Sequence, residues 1–391
     1  MHLDYTPQQR ALRDELRAYL SDLMTEPLQQ ELTTNDGGGP EYFVAMKKLA
    51  ADGWLGLGWP EEVGGGGRDA IEEFIFFDEV HRAGFPIPLL TLNTVGPTLV
   101  RFGTDAQKDH YIPRILAGEC HFSIGYTEPG AGTDLASLKT RAVRDGDEYV
   151  ISGQKIWNSL GSFADYVWTA VRTDPNEARH KGISVIIVPM DAPGVSRTDM
   201  AALGDNDVSA VYFDNVRVPV TNRVGPEHGG WRLITTQLNH ERVALVSVGL
   251  TARLLDETRQ WAAAAPDGRG GVILDQPWAR ANLARVEAKL EVLRLLNWKQ
   301  AWNIERDTLH YADASAIKVY GSELYVEACR AMMEVLGSAA VLRTGSPGAA
   351  LQGRLERFYR ATLVLTFGGG TNEVQRDIIA TAGLGLPRSR R

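Results

Sequence analysis

The sequence predicts an α+β protein with a helical N-terminal domain, a middle β-barrel or sandwich domain, and a C-terminal four-helix bundle. Apolar residues follow helical spacing up to Ala117, alternate with polar residues between Cys120 and Val218, and return to helical spacing after Gly229. The 391 residues are enough for two or three domains with a large core. We therefore expect domains at residues 1–119, 120–226 and 227–391.

In the first domain, Thr6 before Pro7 is a typical helix start, and the apolar positions from Leu12 to Leu23 lie on one helical face. Segment 71–83 is apolar nearly all round, which indicates a helix buried on most sides. The glycine-rich segment 53–67 is predicted to be a loop. Further helices are predicted over 41–52, 89–103 and 106–117.

The middle domain begins with a short strand after Cys120. Further strands are predicted over 137–143, 149–152, 166–172, 182–189 and 209–218. The last domain is predicted to contain one almost unbroken helix over 231–265 and three more over 276–307, 312–336 and 351–365. Four long helices with intervening loops favour a bundle.

Bulk properties exclude several classes of function. The net charge of −8 makes nucleic acid and anionic membranes unsuitable partners. No apolar run is long enough to cross a bilayer, and the N-terminus lacks the apolar core of a signal peptide. Two distant cysteines fit a reducing cytoplasm. The eight histidines show no metal-ligand spacing, so we expect no metal site.

The most informative stretch runs from His121 to Ser137. An alternating run containing Ile124 and Tyr126 opens into the glycine-containing loop Thr127–Asp134, which exposes backbone amides and short polar side chains. About twenty residues later, Lys155-Ile156-Trp157-Asn158-Ser159 places an indole beside a hydroxyl. Together the two segments suit a stacked heteroaromatic ring. A β-hairpin with a Gly-Pro turn and a core tryptophan is the alternative.

A carboxylate interrupts the apolar face of the predicted helix 231–265. The apolar positions skip one member between Leu238 and Leu245, and Glu241 fills the gap. Burial of a carboxylate is costly unless it is paired or functional, and burial raises its pKa toward the range of a general base. A structural ion pair with Arg242 or another arginine and a catalytic base are both open interpretations of this pattern.

The loop and the tryptophan segment resemble the flavin-binding signature of the acyl-CoA dehydrogenase family. Its usual form is T-E-P-x-x-G-S-D followed by K-x-W-[IF]-[TS], and the similarity continues from Tyr5 to the C-terminal glycine motif. The resemblance implies FAD as cofactor and an acyl-CoA as substrate. In this family, a segment like 85–88 often lines the acyl pocket, although a packed turn is equally open. The FAD-binding residues implied are Ile124, Tyr126, Thr127, Gly132, Thr133, Trp157, Ser159, Thr371 and Glu373.

The resemblance also identifies a missing base and a replacement. Most family members carry a catalytic glutamate in I-Y-E-G-T, where this chain has Gly369 two residues before Thr371. A minority place the base on the long helix, directly before an arginine, and Glu241-Arg242 matches that pattern. The resemblance therefore implies Glu241 as base, Arg242 and Thr133 as substrate contacts, and the Gly369 amide as a donor to the thioester oxygen.

Two motifs that homotetrameric relatives donate to a neighbour's FAD site are altered here. Segment 261–268 lacks the arginine and phenylalanine of R-x-x-F-G, and Glu334 replaces the glutamine of Q-x-x-G-G-x-G, whose glycines are partly lost. A glutamate near a pyrophosphate repels it. We therefore expect a paralogous partner subunit, an α2β2 complex and about one FAD per αβ pair.

The subgroup that the chain resembles narrows the expected substrate. The GYTEP, WRLITTQLN, LLNW and TFGGG stretches are similar to paired dehydrogenases of actinobacterial steroid side-chain degradation. The resemblance implies trans-2-enoyl-CoA formation on a steroid side chain, with an electron-transfer flavoprotein as acceptor. Two alternatives remain: a flavin oxidase or monooxygenase of specialised metabolism, and a non-catalytic partner of an active paralogue.

Overall fold

The computed structural model describes residues 4–33, 37–177, 179–205 and 207–387. In the helix that spans residues 238–245, it describes the backbone of those residues and not their side chains. The order of elements is helical, then β, then helical, so the predicted fold class is confirmed.

Helices of the N-terminal region begin at side chains that satisfy their free N–H groups. Thr6, Asp69 and Thr104 each accept a hydrogen bond from the third residue of the helix, whose own side chain accepts from the cap in return. A π-helical segment, Leu90–Val95, precedes the fifth α-helix. The helices are α1 (Pro7–Leu23), α2 (Glu26–Glu31), α3 (Pro40–Ala51), α4 (Ala70–Ala83), α5 (Gly96–Phe102) and α6 (Asp105–Leu116).

The middle region is a mixed sheet with the strand order β6-β7-β3-β2-β4-β5-β8, and β1 pairs in parallel with β4. The strands are β1 (Phe122–Gly125), β2 (Arg141–Asp145), β3 (Glu148–Ser159), β4 (Tyr166–Arg172), β5 (Ile183–Pro189), β6 (Val195–Ala201), β7 (Asp207–Pro219) and β8 (Arg223–Val224). Because β1 lies beside β4 and near β3, the loop that follows β1 emerges next to the far end of β3.

The C-terminal region contains α7 (Gly230–Leu245), α8 (Gly249–Ala264), α9 (Pro277–Glu305), α10 (Tyr311–Leu336), α11 (Arg354–Thr362) and α12 (Asn372–Ile378). The prediction of one helix over 231–265 was wrong, because the chain leaves helical geometry at Val246. The Asp78 carboxylate accepts from Gly249 N at 2.8 Å, and Asn297 Nδ2 donates to the Val246 carbonyl at 2.9 Å. Side chains from α4 and α9 thus satisfy the backbone groups that the break exposes.

Smaller differences have local causes. The predicted strand 137–143 begins only at Arg141, since residues 135–137 form a 3-10 turn. Strand β6 was missed because its residues are mostly exposed and lack apolar alternation. The predicted helix 89–103 divides into the π-helical segment and α5.

The buried apolar residues of the described chain fall into separate clusters. The first joins the N-terminal helices to β1, β4 and β5. A second lies within the C-terminal helices and a third inside the sheet. The first cluster fixes the flank of β1 against the helical region. Among the described residues, no helix has the length and apolar character needed to cross a membrane.

Candidate active site

The loop Thr127–Asp134 is held in place by one buried carboxylate. Glu128 accepts from the backbone N–H groups of Lys139 at 2.6 Å and Thr140 at 2.8 Å. Lys155 Nζ donates to Glu128 Oε1 at 2.8 Å and to the Tyr126 carbonyl at 3.1 Å. The loop is therefore tied both to the start of β2 and to β3.

Burial by itself would raise the pKa of Glu128. The charge of Lys155 and the hydrogen bonds to the carboxylate outweigh that effect, so the pKa of Glu128 lies below its usual value. Glu128 is thus a buried anion fully engaged with protein groups. Its role is to fix the loop, and its carboxylate is not available to a ligand.

No contact among the described residues requires glycine at two positions of this loop. An added Cβ at Gly130 would meet no other atom within 4 Å, and at Gly132 only Thr127 Cγ2 at 3.9 Å. Neither residue has a positive φ. Space that a Cβ would fill, next to exposed backbone amides, suits the close approach of a flat or anionic group. The loop therefore fits an FAD cradle.

Trp157 is 58% exposed, so the alternative of a core tryptophan is wrong. It lies at an irregularity in the pairing of β3 with β7, and its φ is +62°. A bulky residue in the left-handed region is strained, and such strain is typical of functional sites. The bulge turns the indole out of the strand's regular alternation, where its face can stack on a ligand.

The glycine turn, Phe367–Thr371, precedes α12. Gly369 and Gly370 have φ values of +66° and +96°, which side-chain-bearing residues rarely adopt. Lys318 of α10 is 2% exposed, and its Nζ donates to the Gly370 carbonyl at 2.7 Å and to Asn372 Oδ1 at 2.8 Å. The turn that lacks the usual glutamate is thus still anchored from the bundle.

Helix α7 contains the backbone of Glu241 and Arg242. Their side chains lie outside the described part of the structure, so both assignments stay predictions. One turn earlier, Gln237 is buried, and its Oε1 accepts from the Tyr126 hydroxyl at 2.6 Å. The helix is thereby joined to the residue that opens the loop Thr127–Asp134.

Hydrogen bonds bring the two flavin-signature segments together. Ile156 N donates to the Thr127 carbonyl at 2.9 Å, and Asn158 Nδ2 donates to the Ile124 carbonyl at 3.2 Å. Gly132, Thr133 and Ser159 are exposed beside this contact. The loop and the bulge therefore form one continuous surface at the end of β1 and β3.

The remaining predicted FAD contacts lie at the start of α12. The Thr371 hydroxyl accepts from Val374 N at 3.3 Å and caps the helix. Glu373 lies in the first turn, where its own backbone N–H holds the pKa of its carboxyl below the usual value. These two residues are placed by the glycine turn and α10, separately from the loop and the bulge.

Two residues that hold segments of the candidate site in place by hydrogen bonds were missed from the sequence. Lys318 is flanked by Ile317 and Val319 in an apolar helix, so the reasoning applied to Glu241 could have found it. Gln237 gave no comparable signal, because a glutamine is common both in buried and in exposed positions. Its hydrogen-bond partners also come from a distant part of the sequence, the β region.

Three family models match consecutive parts of the chain. They describe the N-terminal, middle and C-terminal domains of acyl-CoA dehydrogenase and match residues 6–119, 123–216 and 228–384. The chain is 54% identical over 400 residues to acyl-CoA dehydrogenase FadE26 of Mycobacterium tuberculosis, with 100% of both chains covered.

Two solved structures share the whole fold. The ChsE4-ChsE5 complex from Mycobacterium tuberculosis contains a chain that is 55% identical to this one, with a TM-score of 0.94 and complete coverage of both. A structure described as the Tcur3481-Tcur3483 steroid ACAD matches with a TM-score of 0.93 at 51% identity, also with complete coverage of both.

Proposed function

The chain belongs to the acyl-CoA dehydrogenase family, and on that premise we propose that it oxidises a steroid side-chain acyl-CoA to the trans-2-enoyl-CoA with FAD. The observation that carries the cofactor assignment is the open surface formed by Gly130, Gly132 and the outward-facing Trp157. FAD, when bound, supplies the acceptor for the hydride that leaves Cβ of the acyl group. Its ring would be held by the loop Thr127–Asp134 and by Trp157.

The chain's own residues would supply the other half of the reaction. Glu241 takes the α-proton, and the bonding electrons become the new C=C bond as the hydride leaves. The N–H of Gly369 donates to the thioester oxygen and makes the α-proton more acidic. Its left-handed backbone suits glycine, so this turn keeps the amide donor and disfavours a glutamate side chain at this position.

The proposed partner is a paralogous subunit in an α2β2 complex. Both donated FAD motifs are altered in this chain, and Glu334, at the position of the motif glutamine, accepts from Asn282 Nδ2 at 2.9 Å. The 55%-identical structure is itself a complex of two different chains. The steroid assignment is supported by the description of the 51%-identical structure as a steroid ACAD. Electrons would pass on to an electron-transfer flavoprotein.

The test is the variant Glu241→Gln in the complex co-expressed with the paralogous subunit. A steroid side-chain acyl-CoA is added without oxygen, and bleaching of the flavin band near 450 nm is followed with mass spectrometry of the thioester. We expect FAD to remain bound and flavin reduction to fall at least a thousandfold. Reduction at the wild-type rate would remove Glu241 from the base role.

The matched control is Glu15→Gln, which removes a carboxylate from the exposed side of α1 and should reduce flavin at the wild-type rate. A double variant, Glu241→Gln with Gly369→Glu, tests whether a glutamate at the position that is usual in the family restores flavin reduction. We expect no rescue, because a glutamate at φ +66° would strain the turn.

A further inference from the structure

Three buried side chains form a hydrogen-bonded triad between the sheet and α7. The Tyr126 hydroxyl donates to Gln237 Oε1 at 2.6 Å. Trp168 Nε1 of β4 lies 3.0 Å from the Tyr126 hydroxyl oxygen and 3.1 Å from Gln237 Oε1, so it donates to both. We call these residues the Tyr126–Trp168–Gln237 triad.

The triad fixes Gln237 in one orientation. Its Oε1 takes two donors, so the carboxamide cannot flip without losing both bonds. Its Nε2 is buried and has no acceptor among the described residues. The triad therefore holds the Gln237 side chain between β4 and the residue that opens the loop Thr127–Asp134.

The ends of the triad lie at the two halves of the proposed site. Tyr126 immediately precedes the loop Thr127–Asp134, and its carbonyl is held by Lys155. Gln237 precedes Glu241 by four residues, the spacing at which positions on a helix share a face. A hydrogen bond between Tyr126 and Gln237 consequently sets the height and rotation of α7 relative to the loop.

We propose that Gln237 is a positioning residue that aligns the helix of the base with the flavin loop through Tyr126 and Trp168. This inference rests on the proposed function, since it takes Glu241 as the base and the loop as the flavin site. Proton and hydride leave adjacent carbons in one reaction, so base and flavin must be held at a fixed separation. The triad supplies a buried, hydrogen-bonded link between them.

The test uses Tyr126→Phe, Gln237→Met and the double variant in the FAD-loaded complex. Phenylalanine keeps the ring and removes the donor, while methionine keeps the length and removes the acceptor. Each single variant should retain FAD and lower the limiting rate of flavin reduction about tenfold. The apparent dissociation constant of the acyl-CoA should change less than twofold, and the isotope effect of an α-deuterated substrate should rise.

The double variant should be slowed by less than the product of the two single effects, because both substitutions remove the Tyr126–Gln237 bond. The matched control is Gln107→Met. Gln107 is also buried, and its Nε2 donates to the carbonyls of Thr221 at 2.7 Å and Arg223 at 3.0 Å, linking α6 to the sheet. The Gln107→Met variant should lose stability, while its limiting rate of flavin reduction should stay unchanged.

Triad variants that only lower the unfolding midpoint, as Gln107→Met does, would overturn the inference. The proposed function fails separately, if Glu241→Gln still reduces flavin. An active Glu241→Gln together with slow triad variants would also overturn the link to Glu241, because the triad would then act on the flavin loop alone.

Discussion

Lys155 has no solvent exposure, and its ammonium group holds both Glu128 and the Tyr126 carbonyl. Removing one member of a buried ion pair leaves the other charge without compensation. We expect Lys155→Met to lower the free energy of unfolding by about 3 kcal/mol and to reduce FAD occupancy, measured by urea unfolding and by flavin absorbance.

Lys48→Met is the control for this variant. Lys48 also pairs with a carboxylate at 2.8 Å, that of Asp52, but on the exposed side of α3, where solvent screens the pair. We expect almost no change in its urea midpoint. Equal effects of the two substitutions would contradict a special role of the buried pair.

Gly132 has space for a methyl group, so its substitution separates cofactor binding from stability. Gly132→Ala should weaken FAD binding at least tenfold and leave the urea midpoint of the FAD-free chain unchanged, because the added Cβ meets no protein atom closer than 3.9 Å. Isothermal titration with FAD in the presence of the partner subunit measures the first effect.

Gly161→Ala should show the opposite behaviour. A Cβ there would lie 2.7 Å from Ser209 Oγ, so this variant should lose stability. Unchanged FAD affinity in Gly132→Ala would show that no ligand occupies the space beside the loop.

At the scale of elements, the break between α7 and α8 determines where the helix that contains Glu241 ends. Asp78 and His81 of α4 lie against it, with His81 Nδ1 at 3.0 Å from Ser247 Oγ. An added Cβ at Gly249 would lie 2.0 Å from the Asp78 carbonyl oxygen. The close approach of α4 therefore requires glycine at the start of α8.

Burial lowers the pKa of His81 to about 4 from its ordinary value of 6.5. The unfolded chain consequently binds a proton between pH 6.5 and about 4 that the folded chain does not. Stability contributed by His81 is present above pH 6.5 and is lost as the pH falls toward 4. We expect the urea midpoint of the wild type to fall more steeply over this range than that of His81→Gln.

The difference between those two profiles separates the contribution of His81 to the pH dependence of stability from the contributions of the carboxylates. Burial raises the pKa of Asp78 to about 6, which acts in the opposite direction over an overlapping range. Parallel profiles for the wild type and His81→Gln would show that His81 titrates normally in the folded chain.

At the scale of the whole molecule, the part of the proposed FAD site that lies on this chain is open. Trp157 and Phe367 are each more than half exposed, although both belong to the motifs of the proposed site. Large apolar side chains exposed at a site indicate that another group covers them. We propose that FAD and the paralogous subunit provide that cover.

The expected outcome is that the chain purified alone retains little FAD. Co-expression with the paralogous subunit should give an α2β2 complex with about one FAD per αβ pair, measured by native mass spectrometry and absorbance at 450 nm. A stable homotetramer with one FAD in every chain would contradict the proposed partner.

The order of regions, most helices and the two flavin-signature segments could be predicted from the sequence, because each depends on residues close together in the chain. Thr6-Pro7 marks α1, and the glycines of the loop Thr127–Asp134 mark a backbone open to a ligand. Local spacing and local steric freedom are enough for such features.

Only the tertiary structure decided how these segments are held. The break at Val246 depends on Asp78 and Asn297, which come from α4 and α9 and have no local signal near residue 246. Tyr126, Trp168 and Gln237 likewise meet only because β1 pairs with β4 and α7 packs against the sheet. Sequence spacing specifies the environment that a residue needs, whereas packing selects the distant groups that provide it.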